Sequence, residues 1–263
     1  MTNENAVKGM SIKKKALIVL CALVSVVVIV ATSVLATVAY LTSSATVSNV
    51  FTIGKVGITM TESKVDSEGR KIVGEGAAQV DTNSYHLVPN KTYDKDPTIH
   101  VNDGSEDSYL FITVRNDLER IADATDPTNK PTIAQQLKKN GWAQYTTVAT
   151  GNVYVYVGCE ANNDVVAGAM TAEGKLADGA AACLVNEGDY KLFEQFSISK
   201  TADVSAYGAA KININAFAIQ DSGLTTVAAA WDAVLDTYPY IHSGTTTGGT
   251  TGGNTSGNTG SGS

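Results

Sequence analysis

Segments rich in β-branched and aromatic residues recur along the chain between turn-forming residues, and their alternation predicts strands. The clearest candidates are residues 98–101, 108–115, 142–147, 152–158, 190–199 and 211–220. Residues 51–60 also alternate, but Gly54 and Gly57 interrupt them, which predicts a first strand with a kink or bulge. Residues 153–157 alternate between valine and tyrosine, so we expect the valines to face the core and the tyrosines to cover the other side.

Two short segments carry apolar residues at helical spacing, residues 132–140 and residues 227–235. Thr132 before the first, and Thr225 or Thr226 before the second, are predicted N-caps. The apolar face of the second segment is predicted to hold Ala228, Trp231 and Leu235. Together with the strands, these elements predict a mainly β fold, an antiparallel β-sandwich with two short helices.

The beginning of the chain has the order of a secretory signal, with a basic n-region at residues 1–15 and an apolar run at residues 16–39. Small residues close the run, which predicts export and cleavage between Ala39 and Tyr40. The run is also long enough to cross a bilayer as a helix, so an uncleaved membrane anchor is the alternative. In both cases only this segment is expected to contact the membrane.

Residues 243–263 contain only Gly, Ser, Thr and Asn, which predicts a disordered, flexible tail. Residues 40–242 remain between the signal and the tail, and they suffice for one sandwich domain. Of the 19 Lys/Arg and 26 Asp/Glu residues, only four lysines and Glu4 precede Tyr40, so the exported part has a net charge of −10. Such an acidic surface repels phosphate backbones, which argues against nucleic-acid binding.

Two cysteines, Cys159 and Cys183, lie in the exported part and flank a segment rich in Ala, Gly, Asn and Asp, residues 160–189. This segment is predicted to be a surface excursion. In an exported protein the pair is a candidate disulfide, and two small buried thiols are the alternative.

Sequence motifs of catalysis are missing from the chain. It contains no G-x-S-x-G, H-E-x-x-H, C-x-x-C or Gly-rich phosphate loop, and His86, His100 and His242 are far apart in sequence. We therefore predict a protein that is not an enzyme, with no catalytic residues, no cofactor and no metal site. Residues 102–107 form an acidic stretch, which we interpret as a solvated turn.

Several segments carry a resemblance to a known family. Residues 37–42 read TVAYLT and residues 49–56 read NVFTIGKV. Residues 89–109 and residues 216–231 carry further matching patterns, PNKTYDKDP and AFAIQDSGL among them. The chain thereby resembles the SipW-dependent signal-peptide class, the family of the biofilm-matrix fibre protein TasA and of camelysin (CalY).

This resemblance implies a jelly-roll-like sandwich, cleavage by a signal peptidase of the SipW type, and secretion to the matrix or cell surface of a Gram-positive-type bacterium. It further implies a fibre subunit that associates with itself by lending an N-terminal strand to the next subunit, and a cell-wall or matrix protein as a second candidate partner. The candidate donor residues are Tyr40, Leu41, Val47, Val50, Phe51 and Ile53.

The candidate donor strand has a structural alternative, an ordinary edge strand folded back on its own domain. The fibre subunit has two functional alternatives. One is a monomeric surface module that binds glycan or protein through its loops. The other is a camelysin-like metallopeptidase, which is disfavoured because the sequence contains no helical pair of histidines with a glutamate to hold zinc.

Overall fold

The computed structural model describes residues 48–243, with side chains from Asn49 to Ile241. The predicted signal segment, the cleavage point and nearly all of the tail lie outside the described residues. The strands are β1 (Ser48–Ile53), β2 (Ile58–Ser63), β3 (Gln79–Val80), β4 (Thr92–Asp94), β5 (Thr98–Val101), β6 (Ser108–Asn116), β7 (Trp142–Val148), β8 (Gly151–Tyr156), β9 (Gly188–Lys191), β10 (Gln195–Ser197) and β11 (Ile212–Gln220). The α-helices are α1 (Ile133–Lys139), α2 (Val227–Thr237) and α3 (Tyr240–Ser243).

The fold of residues 48–243 is mainly β, as predicted, and its strands form three sheets. A five-stranded sheet has the order β1-β11-β6-β8-β7, a four-stranded sheet has the order β3-β2-β5-β9, and β10 pairs with β4. The prediction of a purely antiparallel arrangement was wrong at one position, because β1 runs parallel to β11 while the other pairs are antiparallel. Within residues 48–243, no helix has the length and apolar character needed to cross a membrane.

One core lies between the sheets. Ile112 and Tyr156 of the five-stranded sheet belong to the same buried cluster as Ile99 of the four-stranded sheet and Phe196 of β10. The sheets therefore pack face to face, and burial of this large apolar surface is the main favourable contribution to the stability of the fold. Tyr154 also belongs to this cluster, so the tyrosines of β8 face a buried core, although only the valines were expected to do so.

A second core lies on the opposite face of the five-stranded sheet. There Val155 and Phe217 share a buried cluster with Trp231 of α2 and with Ala169 of the segment that follows β8. Both faces of the five-stranded sheet are thus covered, which explains why most residues of β6 and β11 are buried, including neighbours on opposite faces.

The first predicted strand, residues 51–60, is two strands in two different sheets. The chain leaves the five-stranded sheet after Ile53 and enters the four-stranded sheet at Ile58, and Gly54 between them has φ +90°. This conformation favours glycine, so the interruption noticed in the pattern is a change of sheet rather than a bulge. The predicted strand region 190–199 is likewise divided between β9 and β10.

The two predicted helices are present. Thr132 caps α1 through a capping box with Gln135, and Thr226 caps α2 by accepting a hydrogen bond from the Ala229 N–H. The buried face of α2 differs from the predicted one, because the helix packs with Val227, Ala230, Trp231 and Val234 toward the sheet.

Candidate functional site

The edge strand β1 is the least buried strand of the five-stranded sheet. No residue from Asn49 to Ile53 is buried, whereas each of the other four strands contains fully buried residues. Val50 is 39% exposed, and one long edge of β1 has no strand from residues 48–243 beside it. The strand is therefore held mainly by its pairing with β11 and by one row of side chains.

Phe51 makes the aromatic contacts between β1 and the rest of the domain. Its ring stacks on Phe217 of β11 with 5.1 Å between centroids and an interplanar angle of 14°. Its centroid also lies 4.9 Å from that of Tyr238 and 6.0 Å from that of Tyr240. We call Phe217, Tyr238 and Tyr240 the aromatic patch. Contacts of this kind combine apolar burial with favourable ring–ring electrostatics.

The aromatic patch continues into the second core. The ring of Phe217 contacts Trp231 of α2 edge-on, with 5.9 Å between the ring centroids, so α2 packs against the patch. Burial raises the pKa of Tyr238, and burial followed by the charge of Tyr238 raises the pKa of Tyr240 to about 12. Both phenols therefore remain neutral under physiological conditions, and the patch presents an uncharged apolar surface to any strand that lies on it.

Polar groups set the register of β1. Asn49 Nδ2 donates to Asn215 Oδ1 at 3.0 Å, and Asn215 Nδ2 donates in turn to Thr113 Oγ1 of β6 at 2.8 Å. Tyr238 Oη donates to the Thr52 carbonyl oxygen at 3.2 Å. Because a shift of one residue would break the amide ladder and turn Phe51 away from the patch, the strand has one preferred position.

Three of the predicted donor residues lie on β1, namely Val50, Phe51 and Ile53. Phe51 and Ile53 pack against the second core. The remaining predicted site residues, Ala39, Tyr40, Leu41 and Val47, lie outside the described residues. Sequence reasoning missed the aromatic patch, although the run of tyrosines around Pro239 was a usable signal for it.

A second candidate site is a polar cavity of about 510 Å³ over the four-stranded sheet. It contains a line of hydrogen bonds in which His100 lies between Asp189, at 2.6 Å from Nδ1, and Thr61, at 2.9 Å from Nε2. The order acid–imidazole–hydroxyl resembles that of a hydrolase triad. However, Gln79 Oε1 lies 3.2 Å from the same hydroxyl oxygen and competes with the imidazole for the single hydroxyl proton of Thr61.

The remaining polar lining suits binding better than hydrolysis. Lys71, Asn140, Asn162 and Lys191 surround the cavity and offer both donors and acceptors. Within residues 48–243, no three His, Cys, Asp or Glu side chains lie close enough together to hold a metal ion.

Cys159 and Cys183 are both half-buried free thiols in the structure. Burial first, and then the charges of Asp164 and Cys159, raise the pKa of Cys183 to about 11. The two thiols are not bonded to each other, and neither is fully buried as the alternative had it. A disulfide between Cys159 and Cys183 stays a prediction.

Comparison with known proteins leaves the chain without an assigned relative. No protein-family model matches it, and no curated protein matches it significantly.

Proposed function

We propose that the chain is an exported structural protein of the cell surface or extracellular matrix, and that its subunits assemble by exchange of the N-terminal strand. In this proposal the signal is removed between Ala39 and Tyr40 by a SipW-type peptidase. The residues freed at the new N-terminus then continue into β1 and lie beside β11 of a neighbouring subunit. The protein is not an enzyme in this proposal, and it belongs to the TasA and camelysin family with a jelly-roll-like sandwich.

The observation that carries the proposal is the weak attachment of β1 to its own domain. The strand lies at the edge of its sheet, near the N-terminal end of the described residues, and no residue from Asn49 to Ile53 is buried. It covers the aromatic patch, which is formed entirely by residues outside β1. Whichever chain supplies it, the same ladder with β11 and the same contact of Phe51 with Phe217 form. Exchange between identical subunits therefore conserves most of the contacts, which makes it a low-cost route to assembly.

The parallel register permits a direct test. Asn49 and Asn215 are paired across β1 and β11, and neighbouring strands are about 4.8 Å apart, within reach of a disulfide. We would introduce Asn49→Cys and Asn215→Cys into the full-length exported protein, in a background with Cys159→Ser and Cys183→Ser. After assembly and mild oxidation, the expected product is a ladder of covalent oligomers on a non-reducing gel, together with fibres in electron micrographs.

The control shifts one cysteine along the strand. Asn49→Cys with Ala218→Cys places the thiols three residues out of register, about 10 Å apart along the strand. Neither covalent oligomers nor a disulfide within one chain should therefore form. Deleting residues 40–48 should abolish the fibres. A bridge that forms only within single chains at every protein concentration, with no fibres, would overturn the proposal.

A monomeric binding module is the second candidate function, and the polar cavity is the observation that favours it. Its lining of amides, lysines and hydroxyls suits a glycan, whose hydroxyl groups need many donors and acceptors. If Asn140→Ala and Asn162→Ala together abolish retention of the protein on cell-wall polysaccharide while single-chain bridging persists, this second function is favoured.

A further inference from the structure

Lys95 and Glu62 form an ion pair inside the core. Lys95 Nζ contacts Glu62 Oε2, and the two side chains are 0% and 2% exposed. Glu62 lies on β2, and Lys95 lies between β4 and β5, 33 residues further along the chain. Lysine and glutamate are rarely fully buried unless they are paired, and a buried pair offsets its desolvation cost only when its remaining polar atoms are hydrogen-bonded as well.

The surroundings of the pair are poorly suited to two permanent charges. Glu62 Oε1 is buried and accepts no hydrogen bond from any of the described residues. The ring of Tyr85 lies 6.0 Å from Lys95 Nζ, and Tyr85 packs in turn against Tyr93 and Phe196. Burial lowers the pKa of Lys95, although the charge of Glu62 opposes this effect. The site is therefore poorly suited to a buried ammonium ion, and it holds the Lys95 amine directly against the Glu62 carboxyl group.

We propose that Lys95 and Glu62 become joined by an amide bond after the domain has folded. In the proposed step a proton passes from Lys95 Nζ to Glu62 Oε2 within the contact, the lone pair of Nζ attacks Cδ, the N–C bond forms, and the C–Oε2 bond breaks. Oε2 leaves as water, taking the proton that Lys95 had passed to it and one hydrogen of the attacking amine. The ammonium and carboxylate of the starting pair are therefore converted into one neutral secondary amide and one water molecule, and no other reactant is needed.

The folded domain supplies what the free groups lack in water. The strand β2 is fixed between β3 and β5, and the Lys95 backbone N–H donates to the Glu194 carbonyl oxygen at 2.9 Å, so both reacting side chains extend from anchored backbone. Groups held in contact in this way react as if present at effective molarities of up to about 10⁵–10⁸ M. The product replaces two buried charges by one neutral group, and Oε1 becomes an amide oxygen, which costs less to leave unpaired than a carboxylate oxygen.

The bond would connect β2 of the four-stranded sheet to the segment that leads from β4 into β5. This closes the 33-residue loop between them covalently, without cysteine chemistry. In a matrix protein such a link resists both heat and pulling, but the inference does not depend on the proposed assembly, because it concerns a single domain.

The test is mass spectrometry of the full-length exported protein after denaturation and digestion with trypsin. Without the link, Glu62 appears in the peptide of residues 56–64, and cleavage after Lys95 releases residues 92–95. With the link, trypsin does not cleave at Lys95, and residues 56–64 are found attached to residues 92–115. The mass of this branched peptide is lower than the sum of its parts by one water, about 18 Da. Fragmentation should place the loss on Glu62 and Lys95.

Two controls make the result decisive. Lys191 and Glu194 form an exposed pair at 2.9 Å in the same molecule, and they must remain unlinked in the same digest. Lys95→Arg retains a buried cation beside Glu62 but offers no nucleophile, so the branched peptide should disappear. Separate, unmodified peptides from the wild-type protein after prolonged incubation would overturn the proposal, and this outcome is informative even where the variant does not fold. A branched peptide that persists in the variant, or a link at Lys191, would also overturn it.

Discussion

Replacing Phe51 by alanine tests how firmly β1 is held. Phe→Ala at a fully buried position costs about 3–5 kcal/mol. Phe51 is only half-buried, although it stacks on Phe217 and contacts Tyr238, so about half of that cost applies, roughly 2 kcal/mol. Val50 is the matched control on the same strand. It is 39% exposed, and Val50→Ala should cost less than about 1 kcal/mol.

The assay is urea unfolding of the protein at low concentration, followed by intrinsic fluorescence. Phe51→Ala should lower the midpoint without changing the slope, because the same surface is exposed on unfolding. The corresponding shift in Tm is about 4–8 °C for a domain of this size. Equal stabilities of Phe51→Ala and Val50→Ala, to within about 0.5 kcal/mol, would refute the conclusion that β1 occupies the aromatic patch of its own chain.

Two further predictions concern the remainder of the domain. Gly141 has φ +85°, and a Cβ there would lie 2.3 Å from the Gly158 carbonyl oxygen, whereas Gly104 has φ +77° and open space around it. Thermal denaturation should therefore show a cost of about 1–2 kcal/mol for Gly104→Ala, the cost of the backbone conformation alone, and a clearly larger one for Gly141→Ala. The ion pair with Lys130 at 2.8 Å, together with hydrogen bonds from Thr125, holds the pKa of Asp123 far below its usual range. A carboxyl group with a lowered pKa in the folded state contributes stability that is present above about pH 4 and lost as the pH falls further. Asp123→Asn should accordingly flatten this acid limb of a stability–pH curve, and an unchanged limb would contradict the assignment.

Much of the local structure could be predicted from the sequence, because it depends on neighbouring residues. The pattern of residues 98–101 matches β5 without error, residues 108–115 match β6 to within one residue, and Thr132 caps α1 as its position suggests. In each case the period of apolar residues or the capping chemistry is complete within about ten residues.

What could not be predicted are the contacts between distant segments. Asn49 and Asn215 are 166 residues apart, and no local pattern specifies that β1 runs parallel to β11. The pairing of Glu62 with Lys95 could not be predicted either, because a charged residue within a strand is ordinarily expected on the solvent side. Alternation predicts which residues share a face, but the burial of that face depends on which sheet packs against it.

The change of sheet after β1 limits how much of the chain could take part in an exchange. Beyond Gly54 the backbone is fastened to the turn between β5 and β6, since the Glu106 N–H donates to the Lys55 carbonyl oxygen at 3.1 Å and the Asn102 N–H donates to the Gly57 carbonyl oxygen at 2.8 Å. Further along, β2 carries Glu62 and is held through the buried contact with Lys95. A strand that left the aromatic patch would therefore separate only as far as Gly54, whose positive φ already marks a sharp change of direction. The segment predicted as one kinked strand thus combines a weakly held strand, β1, with a firmly held strand, β2. Strand exchange requires both, because β1 must be able to leave its own domain while β2 keeps the chain attached to it.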